Sequence, residues 1–195
     1  MQLQTVSFEC PFCCVTLKKG VSINIAESPQ FSDGFSSDSA IHRLVQCPVC
    51  NEVFFYDGLE IKSSTDPNDI CVNTIEPGID RYFELLKNTD LSDEQQLYLR
   101  KEIWYMGNHH PDVSDEVLNN YDFKTQWLDN LEALEKLLSE DDQEQMLLKA
   151  EVNRHLGRTT RCIELLDLYK GERDPKFVKT IRKKARKGNT EVFEI

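Results

Sequence analysis

The chain of 195 residues has no apolar run near the roughly 20 residues that a membrane-spanning helix requires. No contact with a membrane is expected. Its opening stretch, MQLQTVSFECPFCC, lacks a basic region followed by an apolar core, so no secretory leader is expected either. A Gly-rich phosphate loop, an H-E-x-x-H helix and a nucleophile elbow are all missing. Their absence removes the commonest routes to phosphoryl transfer, zinc proteolysis and acyl transfer, and the expectation is a protein that is not an enzyme. Basic residues are in deficit, with 23 Lys and Arg against 34 Asp and Glu. Such a balance disfavours a chain that coats nucleic acid along its whole length.

Enough remains for a folded core. Apolar residues make up 39% of the chain, and two Trp and ten Phe argue against global disorder. Seven cysteines occur, an odd number that a secreted disulfide framework would not leave. Four lie in two C-P-x-C pairs, while Cys14, Cys71 and Cys162 stand apart. Thiols of this kind suit a reducing cytoplasm.

The charge is unevenly spread. The net charge is −6 over residues 1–87, −11 over 88–151 and +8 over 152–187. The acidic middle and basic end can complement each other inside one helical domain, or can meet partners of opposite charge.

Residues 1–62 read as short strands, VSFEC and VTLKK around the first cysteine pair, RLVQC and EVFFYDGLEI around the second. The Ser, Gly, Asp and Pro of 26–40 make a loop between them. Residues 63–78 contain Asp-Pro and Pro-Gly and read as a linker or an irregular crossover. From 79 to 188 the period becomes helical. Ser92 and Gln95 have capping-box spacing. GNHHPDVS reads as a break, with His109 and His110 on a solvated turn and Ser114 capping a brief turn. Trp127, Leu128, Leu131, Leu134, Leu137 and Leu138 share one helical face. His155 falls near a helix end, where a charged imidazole would suit the dipole. Gly157 suits a helix stop, and Pro175 the first turn of the last helix. Residues 189–195 form a tail, a frayed end or an added strand. The fold class expected is α+β, a small β-rich unit followed by an all-helical domain.

Two residues between cysteines let both thiolates reach one ion from a tight turn. Two such pairs, Cys10–Cys13 and Cys47–Cys50, complete a tetrahedral four-sulfur shell. Cys14 adjoins Cys13 and competes with it, but Cys13 keeps the spacing. Strand, cysteine turn and strand, repeated twice, resembles the zinc ribbon superfamily. Asn51 stands where such ribbons often have Gly, and Asn tolerates positive φ. The resemblance implies one structural Zn2+ with no open coordination position. The segment AEVNRHLGRTTRCIELLDL from Ala150 resembles part of a tetratricopeptide repeat through Leu156-Gly157, which implies helical packing that offers binding surface.

The expected function is binding of a protein partner. A specific version is an immunity protein that neutralises a cognate bacterial toxin, motivated by small size, acidity and missing catalytic motifs. The alternative is a nucleic-acid-associated regulator. It would use the ribbon and the last helix, whose Lys176, Lys179, Arg182, Lys183, Lys184, Arg186 and Lys187 suit phosphate or an acidic partner.

Overall fold

A computed structural model describes residues 2–23, 31–34, 43–61, 71–172 and 175–194. The chain has an α+β architecture, with a small β-rich N-terminal region followed by seven helices among the described residues. It divides into two compact units, Met1–Ser28 with Ser36–Tyr82, and Pro29–Phe35 with Phe83–Ile195. The loop between the cysteine pairs therefore lends a short piece to the helical unit. Asp174, the residue before Pro175, lies outside the described residues.

In the first unit β1 (Gln2–Glu9) and β2 (Thr16–Ile23) form an antiparallel hairpin with Phe8 opposite Leu17. A second hairpin joins β3 (Leu44–Gln46) to β4 (Val53–Phe55). The two hairpins are closed by the stretch read as linker or crossover. Its β5 (Val72–Asn73) runs parallel to β2, and Ile75 exchanges backbone hydrogen bonds with Gln46 of β3 at 2.9 and 3.0 Å. Alternation aims Phe8, Leu17, Val45, Phe54 and Tyr56 inward with Cys10 and Cys47. Phe8 stacks on Tyr56 at 5.4 Å and meets Phe54 edge-on at 6.4 Å.

The helical unit carries α2 (Asp93–His109), α3 (Pro111–Asn119), α4 (Tyr121–Leu137), α5 (Gln143–His155), α6 (Thr159–Leu168) and α7 (Pro175–Arg186); α1 (Ile79–Leu85) spans the boundary between the units. Ser92 and Gln95 close the capping box of α2 reciprocally, at 3.2 and 3.1 Å. Asp142 caps α5 through the Gln145 amide at 2.9 Å. Helix α2 packs on α4, α5 on α6 and α6 on α7. At the first contact Gly107 is needed for its size. A Cβ there would meet Trp127 Nε1 at 2.1 Å, so the α2 backbone lies directly on the indole. The α5–α7 core gathers Met146, Leu147, Ala150, Leu165, Leu166, Phe177 and Ile181.

One local expectation is narrowed and another corrected. The stretch GNHHPDVS does interrupt the helix, but only at His110: α2 runs through His109, and Pro111 opens α3 directly. Proline is tolerated at that first position because its missing N–H has no helical partner there. Ser114 does not cap that helix but lies inside it, its hydroxyl bonded back to the His110 and Pro111 carbonyls. The cap of α4 is Asn120, which accepts from the amides of Asp122 and Phe123. Within the helical unit the C-terminal tail pairs with the lent loop, Phe31 bridging to Glu194 and the Ser32 amide donating to the Phe193 carbonyl at 3.0 Å.

Candidate metal centre

Each cysteine pair sits on a turn closed by its own backbone. The Cys14 amide donates to the Cys10 carbonyl at 2.9 Å, and the Asn51 amide to the Cys47 carbonyl at 2.8 Å. The residue after each pair takes positive φ, 58° at Cys14 and 66° at Asn51. The two turns are thus copies in geometry, and Cys14 is the counterpart of Asn51. Arg81 fixes the second turn by donating to the Asn51 carbonyl at 3.0 Å.

These turns bring the sulfurs of Cys10, Cys13, Cys47 and Cys50 within 4.8 Å of one another. Cys10 Sγ lies 3.7 Å from Cys50 Sγ, and Cys13 Sγ 3.7 Å from Cys47 Sγ. Zinc–sulfur bonds of about 2.3 Å put the sulfurs of a tetrahedron about 3.8 Å apart. The donor set therefore fits a metal ion such as zinc in size and chemistry. Cys14 is exposed and lies outside the cluster, so the structure gathers Cys13 instead.

The electrostatics of the four thiols suit a cation. Burial pushes the Cys47 thiol up, but the amides of Cys50 and Val49 and the neighbouring thiols bring it down to about 7. At Cys50 the Glu52 amide acts to lower the pKa, yet desolvation and three neighbouring sulfurs take it up to about 12. These shifts favour a thiolate at Cys47 and disfavour one at Cys13 and Cys50. A dication reverses that balance, because it offsets the mutual repulsion of the thiolates.

The basic residues of α7 form a stripe opposite its buried face of Phe177, Ile181 and Ala185. Arg182 is tied inward, paired with Asp167 and donating to the Leu166 carbonyl at 3.1 Å. Lys179, Lys183, Arg186 and Lys187 have no ion-pair partner among the described residues. The carboxylates of the acidic segment pair elsewhere, Glu132 with Arg158, Glu135 with Lys149, and Glu140 with both Lys149 and Arg161.

One buried polar cluster escaped the sequence reading. His109 is not on a solvated turn. Its Nε2 lies 2.9 Å from Asp33 Oδ2, which also accepts from Asn108 at 2.7 Å, and Asp33 is fully buried. Arg154 and Glu151 form an ion pair with side chains 1% and 0% exposed. No periodicity points to these contacts, because Asp33 lies far from α2 in sequence and the Arg154 position looks like a helix end.

His155 corrects the expectation of a charged imidazole. It is 7% exposed and accepts from the Trp104 indole through Nδ1 at 3.3 Å, while Nε2 has no partner among the described residues. Burial, then the Arg154 charge, lowers its pKa to about 3. The unfolded chain takes up a proton below about pH 6.5 while the folded chain waits until about 3, so this residue withdraws stability as pH falls through that window. The effect is about 1.4 kcal/mol per pH unit at most. Glu102, raised to about 7 chiefly by burial, acts with the opposite sign. The difference between the wild type and His155→Gln isolates the histidine. In urea unfolding, the wild type should lose stability relative to the variant on going from pH 6.5 to 4.5. Parallel curves would rule this out.

No protein-family model, curated protein or solved structure matches the chain. No helix among the described residues is long and apolar enough to cross a membrane.

Proposed function

We propose that the chain is a non-enzymatic binding protein, in which a zinc ribbon built on Cys10, Cys13, Cys47 and Cys50 braces the first unit and the helical unit meets a basic protein partner. Four thiolates would fill a tetrahedral shell, so the metal would be structural. The observation that carries the partner reading is the corner between α3 and α4. Leu118 and Tyr121 stand there 73% and 82% exposed. Around them in sequence are Asp112, Asp115, Glu116 and Asp122, all exposed and without ion pairs among the described residues. A large aromatic and a leucine set among unpaired acids suit a partner with an apolar pocket and a basic rim. An immunity protein that blocks a basic toxin is one such case, and acidic charge would speed its association. The α5–α6 hairpin, turned by Gly157 at φ 71°, also fits tetratricopeptide-like packing.

The test is affinity capture from the protein's own cells with the zinc-loaded chain and with Leu118→Ala/Tyr121→Ala. A stoichiometric basic protein should be held by the first and lost by the second, with an association rate that falls as salt rises. A partner that is toxic when expressed alone would make the chain an immunity protein. Capture indifferent to the double substitution would sink the reading.

A second reading, a regulator associated with nucleic acid, is favoured by one observation. Lys179, Lys183, Arg186 and Lys187 of α7 form no ion pair with the acidic segment among the described residues. Salt-sensitive nucleic acid in the capture would support it.

A further inference from the structure

The C-terminal half of α7 and the first residues after it enclose a cleft of about 630 Å3, lined by Thr180, Lys183, Lys184, Lys187 and Asn189. The first four are spaced i, i+3, i+4 and i+7, so they share one face of the helix. No carboxylate lines the cleft among the described residues. The ammonium groups of Lys183 and Lys187 have no partner among the described residues, and Lys184 Nζ touches only the Phe193 ring, 5.1 Å from its centroid.

A simpler role for these lysines would be to satisfy the helix end, where cations suit the dipole. Two of the carbonyls there are already taken. Lys184 O accepts from the amides of Lys187 and Asn189 at 3.1 Å, and Ala185 O accepts from the Gly188 amide at 2.9 Å and Thr159 Oγ1 at 3.2 Å. The ammonium groups are left over.

The wall at Asn189 is built from behind. Arg154, almost wholly buried, donates to the Asn189 carbonyl at 2.6 Å and to its Oδ1 at 3.2 Å. With Oδ1 held, the amide presents its Nδ2 donors, which have no partner among the described residues.

The geometry points to this cleft as a phosphate-binding site, one that takes a phosphate monoester, a pyrophosphate or the backbone of a nucleic acid. Three lysines and one amide held by Arg154 line the cleft and offer donors to an anion with several acceptor oxygens. Lysine acts here as a compact point charge, a role it fills at many phosphate sites. No aromatic ring lines the cleft among the described residues, so base stacking has no platform and the contact would ignore sequence. The site shares its helix with the second reading above, but it does not require nucleic acid as the ligand.

The experiment uses the zinc-loaded full chain, labelled with 15N, titrated with sodium pyrophosphate and separately with a 20-base-pair duplex. The backbone amides of Thr180, Lys183, Lys184 and Asn189 should shift with pyrophosphate. Lys183→Gln/Lys187→Gln should weaken binding roughly tenfold or more, and Asn189→Asp should do the same while keeping an acceptor for Arg154. Both lysines are exposed, so the fold should survive, and unchanged amide spectra of α5 and α6 would check it. Binding of both probes, with the duplex lost at high salt, supports a nucleic-acid backbone as the source. Binding of pyrophosphate alone supports a small phosphorylated ligand and removes the nucleic-acid reading. Shifts with neither probe overturn the site. Displacement of pyrophosphate by polyglutamate at matched charge also overturns it, since a patch that attracts any anion would behave that way.

Discussion

Stripping the proposed zinc from the full chain is expected to unfold the first unit and leave the helical unit folded. The first unit's core is small: Phe8, Leu17, Val45, Phe54 and Tyr56, with Cys10 and Cys47 themselves among its buried residues. Strands of three residues in β3 and β4 cannot supply a stable sheet alone. In small metal domains the ion contributes about 10–16 kcal/mol of folding free energy, more than such a core can replace. Cys47→Ser should act like chelation, because three thiolates leave the shell open. The two tryptophans make the readout separable. Trp104 lies on α2 and Trp127 on α4, so indole emission reports only the helical unit. After chelation, emission should hold while the amides of β1 to β4 lose their protection from hydrogen exchange. Retained protection at Phe8 and Val45 would mean that the core stands without metal.

The same contrast separates what the sequence made legible from what it hid. The cysteine turns follow from spacing, because a two-residue gap fixes local geometry whatever surrounds it. The capping box at Ser92 and the stop at Gly157 were equally local, and both appear where the residues predict them. Local signals failed where a neighbour competed. Pro111 reads as a breaker until it is seen as the first residue of a helix, and Ser114 reads as a cap until that earlier start takes it inside. The buried polar cluster was out of reach for a different reason. Asp33 meets His109 across 76 positions, and the Phe193 amide meets the Ser32 hydroxyl across 161. Nothing in composition or period marks such pairs. His155 shows the cost of reading charge from position alone, since a helix-end histidine is charged only when water reaches it.

Arg154→Met is expected to destabilise the helical unit by about 3–5 kcal/mol, the usual result of leaving one member of a buried ion pair alone. Glu151 would be stranded with its carboxylate fully buried, and its Oε1 already lacks a hydrogen-bond partner among the described residues. The substitution would also release the donors that Asn189 and Ser32 receive, so the tail and the lent loop would lose a common anchor. Burial already raises the Glu151 pKa, with the Arg154 charge opposing it. Without that charge the carboxyl should take up a proton more readily when folded than when unfolded. The variant should therefore regain stability relative to wild type as pH falls from 7 toward 5. A second substitution tests the cause. Glu151→Gln/Arg154→Met removes the stranded charge and should be more stable than Arg154→Met alone near pH 7, by urea unfolding followed through tryptophan emission. If the double variant were no better, the loss would belong to packing and to the Asn189 contact, and the ion pair would have little part in holding the unit together. If it were better in stability yet still failed to bind pyrophosphate, the two roles of Arg154 would come apart: its charge would sustain the core through Glu151, and its geometry would sustain the cleft through Asn189.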